Sequence, residues 1–246
     1  MTNKKNSTGL FVLIFILGII VGSAGTFFTM TRVFSFKAAG AEETVSETVA
    51  DTVNEETGAM TADDPVPTDE TDLVVIKVND AEVTMKEVNI YMYQLRDFYT
   101  AQYGEAPWDV EMEDGVTVRD YAKEELKKGL IRAEILISKA DEYQVELVDE
   151  EKQVCAEEAK SYIASIGPVI CQDFGLTEEA DRLVKEKQYL STKVYNAVLD
   201  SLEATLDDPS DAALSEAFDN LYNEWLESAT ITEDPVWEYI VMGSVG

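Results

Sequence analysis

The sequence predicts a mainly α-helical domain whose two ends join in a small two-stranded β pairing, preceded by one transmembrane helix. Three observations lead to this class. Apolar residues recur at steps of three and four along much of residues 85–228, which is the period of amphipathic helices. Only residues 73–78 and 236–242 have the composition of good strands. Residues 9–31 carry no charge and are long enough to span a bilayer.

The elements follow in order from apolar spacing and capping residues. Residues 73–78 are a predicted strand, which turns and returns into a first helix over residues 85–103 with Thr84 as its N-cap. The central helix is predicted over residues 117–143, with Thr117 as its N-cap. Its predicted core-facing row is Val118, Ala122, Leu126, Leu130, Ala133, Ile137 and Ala140.

Three more helices are predicted in the second half of the chain. Asp149 is the expected cap of a helix that ends near residues 167–168. Thr177 opens the next helix, which reaches about residue 202, and a last helix covers residues 212–228. The alternation in residues 236–242 predicts a closing strand, which we expect to pair with residues 73–78.

A membrane anchor is predicted at the N-terminus. Residues 1–8 are short, polar and basic, which favours a cytoplasmic tail. Residues 9–31 are then a transmembrane signal-anchor, so that the folded domain lies on the extracytoplasmic side of the cell membrane. A cleaved signal peptide is the alternative, because residues 39–41 offer a small-residue site, although that site lies well beyond an apolar region of normal length.

The rest of the chain is strongly acidic. Residues 32–71 are a predicted disordered linker, because residues 42–72 contain eleven acids and no Lys or Arg. Residues 72–246 are patterned as one folded domain. Over the whole chain the net charge is -30, which argues against nucleic acid as a partner and leaves the N-terminal helix as the expected membrane contact.

The absence of histidine excludes several kinds of site. Ser-His-Asp catalysis, Cys-His catalysis and His-ligated zinc all need imidazole, and two cysteines are too few for a four-cysteine zinc site. The sequence also has no Gly-rich phosphate loop and no EF-hand spacing. We therefore expect no enzyme activity, metal or cofactor, although some pair of carboxylates can always be found among 49 acids.

The order of these signals resembles that of the SurA/PrsA-like extracytoplasmic chaperones. The segments that carry the resemblance are VVIKVNDAEVTMKEVNIYM, ISKADEYQVELVDEE, FGLTEEADRLVKEKQYLSTKVYNAVL and FDNLYNEWLESATITEDPVWEYI. Together they cover essentially residues 72–242. Two departures stand out: Asp80 occupies a position where glycine is usual, and only about nine residues separate Leu202 from Ala212, where the family commonly inserts a parvulin-type isomerase domain.

The resemblance implies a SurA N-terminal-like chaperone domain without isomerase activity. We expect a membrane-anchored holdase that binds unfolded or nascent secreted polypeptides through an apolar groove. Met and aromatic side chains suit such a promiscuous surface, and ordinary core of the first helix is their alternative role. The candidate lining residues are Tyr91, Met92, Leu95, Phe98, Tyr99, Tyr103 and Trp108. The alternative function is a non-catalytic scaffold or adaptor subunit that holds one defined partner at a membrane complex.

Cys155 and Cys171 are the two cysteines, and both are expected in an oxidising compartment. A chain that reverses at residues 167–168 brings them just within disulfide reach. A helix that kinks at Pro168 and continues keeps them about 24 Å apart. A disulfide and two free thiols are therefore both open from the sequence.

Overall fold

The computed structural model describes residues 72–103, 107–112, 115–207 and 209–243, in which a small antiparallel sheet accompanies six α-helices. The mainly helical class is therefore confirmed. The strands are β1 (Val74–Val78), β2 (Ala81–Thr84) and β3 (Ile231–Glu233). The helices are α1 (Met85–Tyr103), α2 (Val118–Ile137), α3 (Asp149–Ile166), α4 (Pro168–Asp173), α5 (Glu178–Glu203), α6 (Asp211–Ser228) and one 3₁₀ helix (Pro235–Tyr239).

The predicted tail, transmembrane signal-anchor and linker, residues 1–71, lie outside the described residues. Among the residues that are described, no helix is both long enough and apolar enough to cross a membrane.

The sheet has the strand order β2-β1-β3, so its central strand comes from the start of the domain and one edge strand from near its end. β1 and β2 form a hairpin, and β1 also pairs with β3 in a register that places Val78 opposite Ile231. The two ends of the domain therefore join as predicted, but the sheet has three strands and not the predicted two. The predicted partner segment was wrong, because β1 pairs with Ile231–Glu233 and not with residues 236–242.

Residues 235–239 form a 3₁₀ helix in place of the predicted strand. Pro235 occupies a first helical position, where its fixed φ suits a helix and its missing N–H costs nothing. The Asp234 carboxylate accepts a hydrogen bond from the backbone N–H of Val236 at 2.9 Å and caps this helix. Trp237, which is only 1% exposed, is thereby turned into the core.

Three basic side chains on one face of α2 hold the C-terminal segment, which we define as residues 233–243. Lys127 contacts the Glu233 carboxylate at 3.1 Å, and Lys123 donates to the Glu238 carbonyl at 2.9 Å. Arg119 donates to the Met242 carbonyl. Because the three bases are four residues apart, they lie one turn above another and follow the segment along the helix.

The predicted caps Thr117 and Thr177 are confirmed, whereas the predicted cap Asp149 was wrong, because Val148 is the N-cap of α3 and Asp149 is its first residue. The hydroxyl of Thr117 accepts from the Asp120 backbone N–H at 3.1 Å, and that of Thr177 accepts from Ala180 at 3.1 Å. α2 ends at Ile137, six residues earlier than predicted. There the Ser138 hydroxyl bonds back to the Ile135 carbonyl at 2.6 Å, and turns follow.

Two hydrophobic clusters organise the helices. The first cluster joins the sheet, α1, most of α2, the start of α5 and the C-terminal segment; its buried members include Val75, Val88, Leu126, Val184 and Trp237. The second cluster lies where the end of α2 and the second half of α5 meet α6. Its buried members are Leu136, Val194, Val198 and Phe218, and half-buried residues around them include Tyr143, Leu190, Tyr195, Leu199, Leu202, Leu221, Tyr222 and Trp225.

Candidate functional site

The predicted lining residues on α1 belong largely to the core. Tyr91, Leu95, Tyr99 and Trp108 are buried members of the first cluster. Met92 and Phe98 are half-buried and pack against that cluster. The side chain of the remaining residue of this set, Tyr103, lies outside the described residues.

Aromatic contacts explain why these side chains are turned inward. The Tyr99 ring lies 5.2 Å from the Trp108 ring and 5.6 Å from the Phe98 ring, as measured between centroids. Rings that bury one another in this way satisfy their apolar surface within the domain. In this conformation most of these residues lie in the core, and their part in client binding stays a prediction.

A buried ion cluster lies beside α1 and was not predicted. The Lys187 ammonium of α5 contacts the Glu87 carboxylate of α1 at 2.5 Å and the Glu134 carboxylate of α2 at 2.6 Å. Both acids are almost fully buried. Burial raises the pKa of Glu134 even though the Lys187 charge opposes this shift. Burial alone would lower the pKa of Lys187, but the two carboxylates outweigh it and raise that pKa.

A second buried acid lies further along the interface between α1 and α5. Asp181 is 0% exposed, and burial raises its pKa to about 6 despite the nearby Lys185 charge. The Lys185 ammonium is 3.7 Å from this carboxylate, which is an ion-pair distance but too long for a hydrogen bond. Gln94 donates to the other carboxylate oxygen at a long 3.4 Å. The Asp181 oxygen that faces Lys185 has no hydrogen-bond partner within the described part of the chain.

These buried groups connect elements but do not form an accessible catalytic site. Lys187 joins α5 to both α1 and α2, and it also donates to the Glu82 carbonyl of β2 at 3.3 Å. Breaking such a network leaves an unpaired buried charge, so it favours one arrangement of the helices over others. Its two carboxylates are almost fully buried.

The sequence contained a signal for the burial of Glu134 but none for that of Lys187. Glu134 follows Leu126 and Leu130 at steps of four, so an acid occupies the same row of α2 as two core leucines. Nothing local marks Lys187, because the segment around it is rich in charged residues and most such side chains are solvated. Its partner Glu87 is 100 positions away in the sequence.

Among the described residues, the large apolar side chain with the highest exposed fraction lies on α4, which has no buried residue of its own. Val169 is 70% exposed and Ile170 is 36% exposed. Phe174, at the end of this helix, holds it to the body through an edge contact with Tyr93 at 5.0 Å and a cation–π contact with Arg96 at 5.3 Å. The two aliphatic residues are thus presented outward by an anchored helix.

Both cysteines are free thiols in the structure. Cys155 is buried in α3, and burial raises the pKa of its thiol to about 11. The Cys171 thiol lies 3.7 Å from the Ile163 carbonyl. Cys155 is eight residues before Ile163 on the same helix, roughly 12 Å along its axis, so the two thiols are too far apart to bond in this conformation.

No group of three or more Cys, Asp or Glu residues among those described is arranged to hold a metal ion. Comparisons of the chain with models of protein families, with curated proteins and with solved structures found no match. The function is therefore argued from the residues and their arrangement.

Proposed function

We propose that this protein is a membrane-anchored, extracytoplasmic holdase that binds unfolded or nascent secreted polypeptides without isomerase activity. The proposal rests on the sequence resemblance to the SurA/PrsA-like chaperones and on the character of the surface. In it, residues 9–31 anchor the chain in the cell membrane and residues 72–246 bind the client. No cofactor is required.

The observation that carries the proposal is the exposed aliphatic pair on α4. A helix that buries none of its own residues contributes little to the core, so two large apolar side chains on it call for another explanation. Exposed apolar surface bordered by polar residues commonly marks a place where another polypeptide binds. The net charge of -30 would keep complexes with unfolded clients in solution.

The test is suppression of aggregation by residues 72–246, which contain the whole described fold. Several unrelated unfolded proteins are diluted from denaturant with and without this domain, and light scattering is followed. The test variant carries Val169→Ser and Ile170→Ser. The matched control carries Val116→Ser and Val154→Ser, which also removes two apolar side chains that are 41% and 42% exposed.

We expect the wild-type domain and the control to suppress aggregation of every client, and the α4 variant to lose most of this activity. Loss in both variants would mean that the α4 pair is not the binding surface. Suppression of none of the clients would contradict the holdase itself. A single partner captured in tight, fixed stoichiometry would instead identify the adaptor alternative.

A further inference from the structure

Among the described helices of 18 residues or more, α6 is the one least tied to the rest of the domain. It has one buried residue, Phe218, over its whole length of 18 residues. Among the described residues, no hydrogen bond or ion pair joins a side chain of α6 to another element. By contrast, α5 buries eight residues and forms ion pairs with α1, α2 and α3 through Lys187 and Lys193.

Apolar and cation–π contacts are what hold α6 in place. The Phe218 ring lies 4.7 Å from the Tyr195 ring of α5. The Arg132 guanidinium of α2 lies 5.1 Å from the Phe218 ring. The Lys139 ammonium, just beyond the end of α2, lies 5.1 Å from the Trp225 ring. Contacts of this kind are modest individually and do not fix a unique partner as a buried ion network does.

The surface beneath α6 is a groove of apolar character. It is formed by the end of α2 and the second half of α5, with Leu136, Val194 and Val198 at its floor. In the structure α6 closes this groove through Phe218, which is buried in the same cluster as these three side chains. An apolar groove between two helices, with bases at its edge, matches the usual receptor for one face of an amphipathic helix.

We propose that this groove is a second polypeptide-binding site, normally occupied by α6, which an amphipathic helical segment of another polypeptide displaces. α6 itself shows the chemistry of the segment that fits. It presents apolar side chains at steps of three and four, and its remaining positions carry five acids and no base. Arg132 and Lys139 lie against the Phe218 and Trp225 rings, so a segment that carries aromatic side chains at the spacing of these two residues fits the edge of the groove. That the displacing segment comes from a client rests on the proposed function.

The first test uses the wild-type, full-length chain in lipid nanodiscs and needs no substitution. Native-state hydrogen exchange is compared between the amides of α5 and α6. If α6 leaves the groove by local opening, its amides exchange about tenfold faster than those of α5, or more. Equal exchange of the two helices would mean that α6 opens only with the whole domain, and would overturn the proposal.

The second test measures occupation of the groove directly. The probe is a fluorescent peptide with the sequence of residues 210–229, and its binding to the full-length chain is followed by anisotropy. In the variant Phe218→Ser the chain's own α6 competes poorly, so the peptide should bind about tenfold more tightly than to the wild type. Phe98→Ser is the control, because Phe98 is a half-buried aromatic residue that packs on the first cluster.

The outcomes are separable. Tighter binding to Phe218→Ser alone supports the groove, whereas equal binding to both variants would show non-specific attraction to loosened protein and overturn it. A Phe218→Ser chain that does not fold leaves the decision to the exchange experiment on the wild type. Peptide binding together with failure of all aggregation assays would reject the holdase but keep the groove.

Discussion

The two hydrophobic clusters are held together by different kinds of contact. In the first cluster, Lys187 pairs with two buried acids on two other helices, and the sheet joins both ends of the domain. In the second cluster, α6 packs through rings and leucines, and its acids have no ion-pair partner among the described residues. The first arrangement tolerates little displacement of Lys187, because losing its ion pairs would leave buried carboxylates without their cation.

This difference divides the domain into a stable frame, which is the first cluster with its sheet and ion network, and a more adaptable part, which is α6. α5 belongs to both clusters, since its first half carries Lys187 and its second half carries Val194 and Val198. In the described part of the chain no ion pair of Lys187 involves α6, although Tyr222, Trp225 and Leu226 of α6 also pack against the first cluster. A helix held mainly by apolar contacts belongs to the part of a fold that can open locally.

The largest expected effect comes from removing Lys187, the cation that Glu87 and Glu134 share. Lys187→Met leaves the Glu134 carboxylate buried without its ion-pair partner and the Glu87 carboxylate with only its hydrogen bonds from Thr84, which should lower the free energy of unfolding by about 3–5 kcal/mol. Urea denaturation followed by circular dichroism measures the loss. Adding Glu134→Gln should restore part of it, because one buried charge is then removed.

Lys193→Met is the control for this substitution. Lys193 contacts Glu151 at 2.7 Å, but both side chains are about one-third exposed. Its removal should cost far less than removal of Lys187, because solvent screens the charge that remains. Equal losses for the two lysines would contradict the view that the buried network anchors the frame.

Much of this frame could be predicted from the sequence, because its elements have strong local signals. The β1–β2 hairpin, α1 and the caps at Thr117 and Thr177 follow from alternation, apolar period and capping side chains. The closing strand was assigned wrongly because residues 236–242 alternate well, whereas Ile231–Glu233 is too short and too exposed to be recognised. Pro235 and Asp234 were the local signals for a helical turn there, and they outweigh the alternation.

The candidate sites were harder to predict, since they depend on contacts between distant residues. Met and aromatic side chains on α1 are equally suited to a binding groove and to a core, and only the positions of other elements decide between them. Trp108 illustrates this, because it is covered partly by the C-terminal segment at Gly243. The exposure of Val169 likewise follows from how Phe174 anchors α4, which no local pattern reveals.

The second expected effect is a pH dependence caused by Asp181. Folding raises the pKa of this acid from 3.8 to about 6, so the folded state binds its proton more tightly than the unfolded state. The charged form is therefore destabilising above about pH 6, and this cost is relieved as the pH falls towards about 4. A shift of this size corresponds to about 3 kcal/mol.

Asp181→Asn isolates this contribution. We expect the variant to be more stable relative to the wild type at about pH 7.5 than at about pH 4, because only the wild type gains from protonation there. The unfolding free energies of both proteins are compared at each pH, so that titration of the other acids largely cancels. A difference that does not change with pH would show that the charge on Asp181 is already compensated in the folded state.

The smallest expected effect is the loss of the cation–π contact between Lys139 and Trp225, which helps to hold α6. Lys139 lies over the Trp225 ring at 5.1 Å and also contacts Glu142 at 3.7 Å, so a single substitution would mix two interactions. A double-mutant cycle with Lys139→Met and Trp225→Leu separates them, because loss of the Glu142 contact occurs on both sides of the cycle and cancels. We expect a coupling of about 0.5–1 kcal/mol, the range for a partly exposed cation–π pair. A coupling above about 2 kcal/mol would mean that α6 is anchored nearly as firmly as the ion network anchors α5. Displacement of α6 by another polypeptide would then become costly, and the contrast between the two clusters would no longer explain how the domain could open.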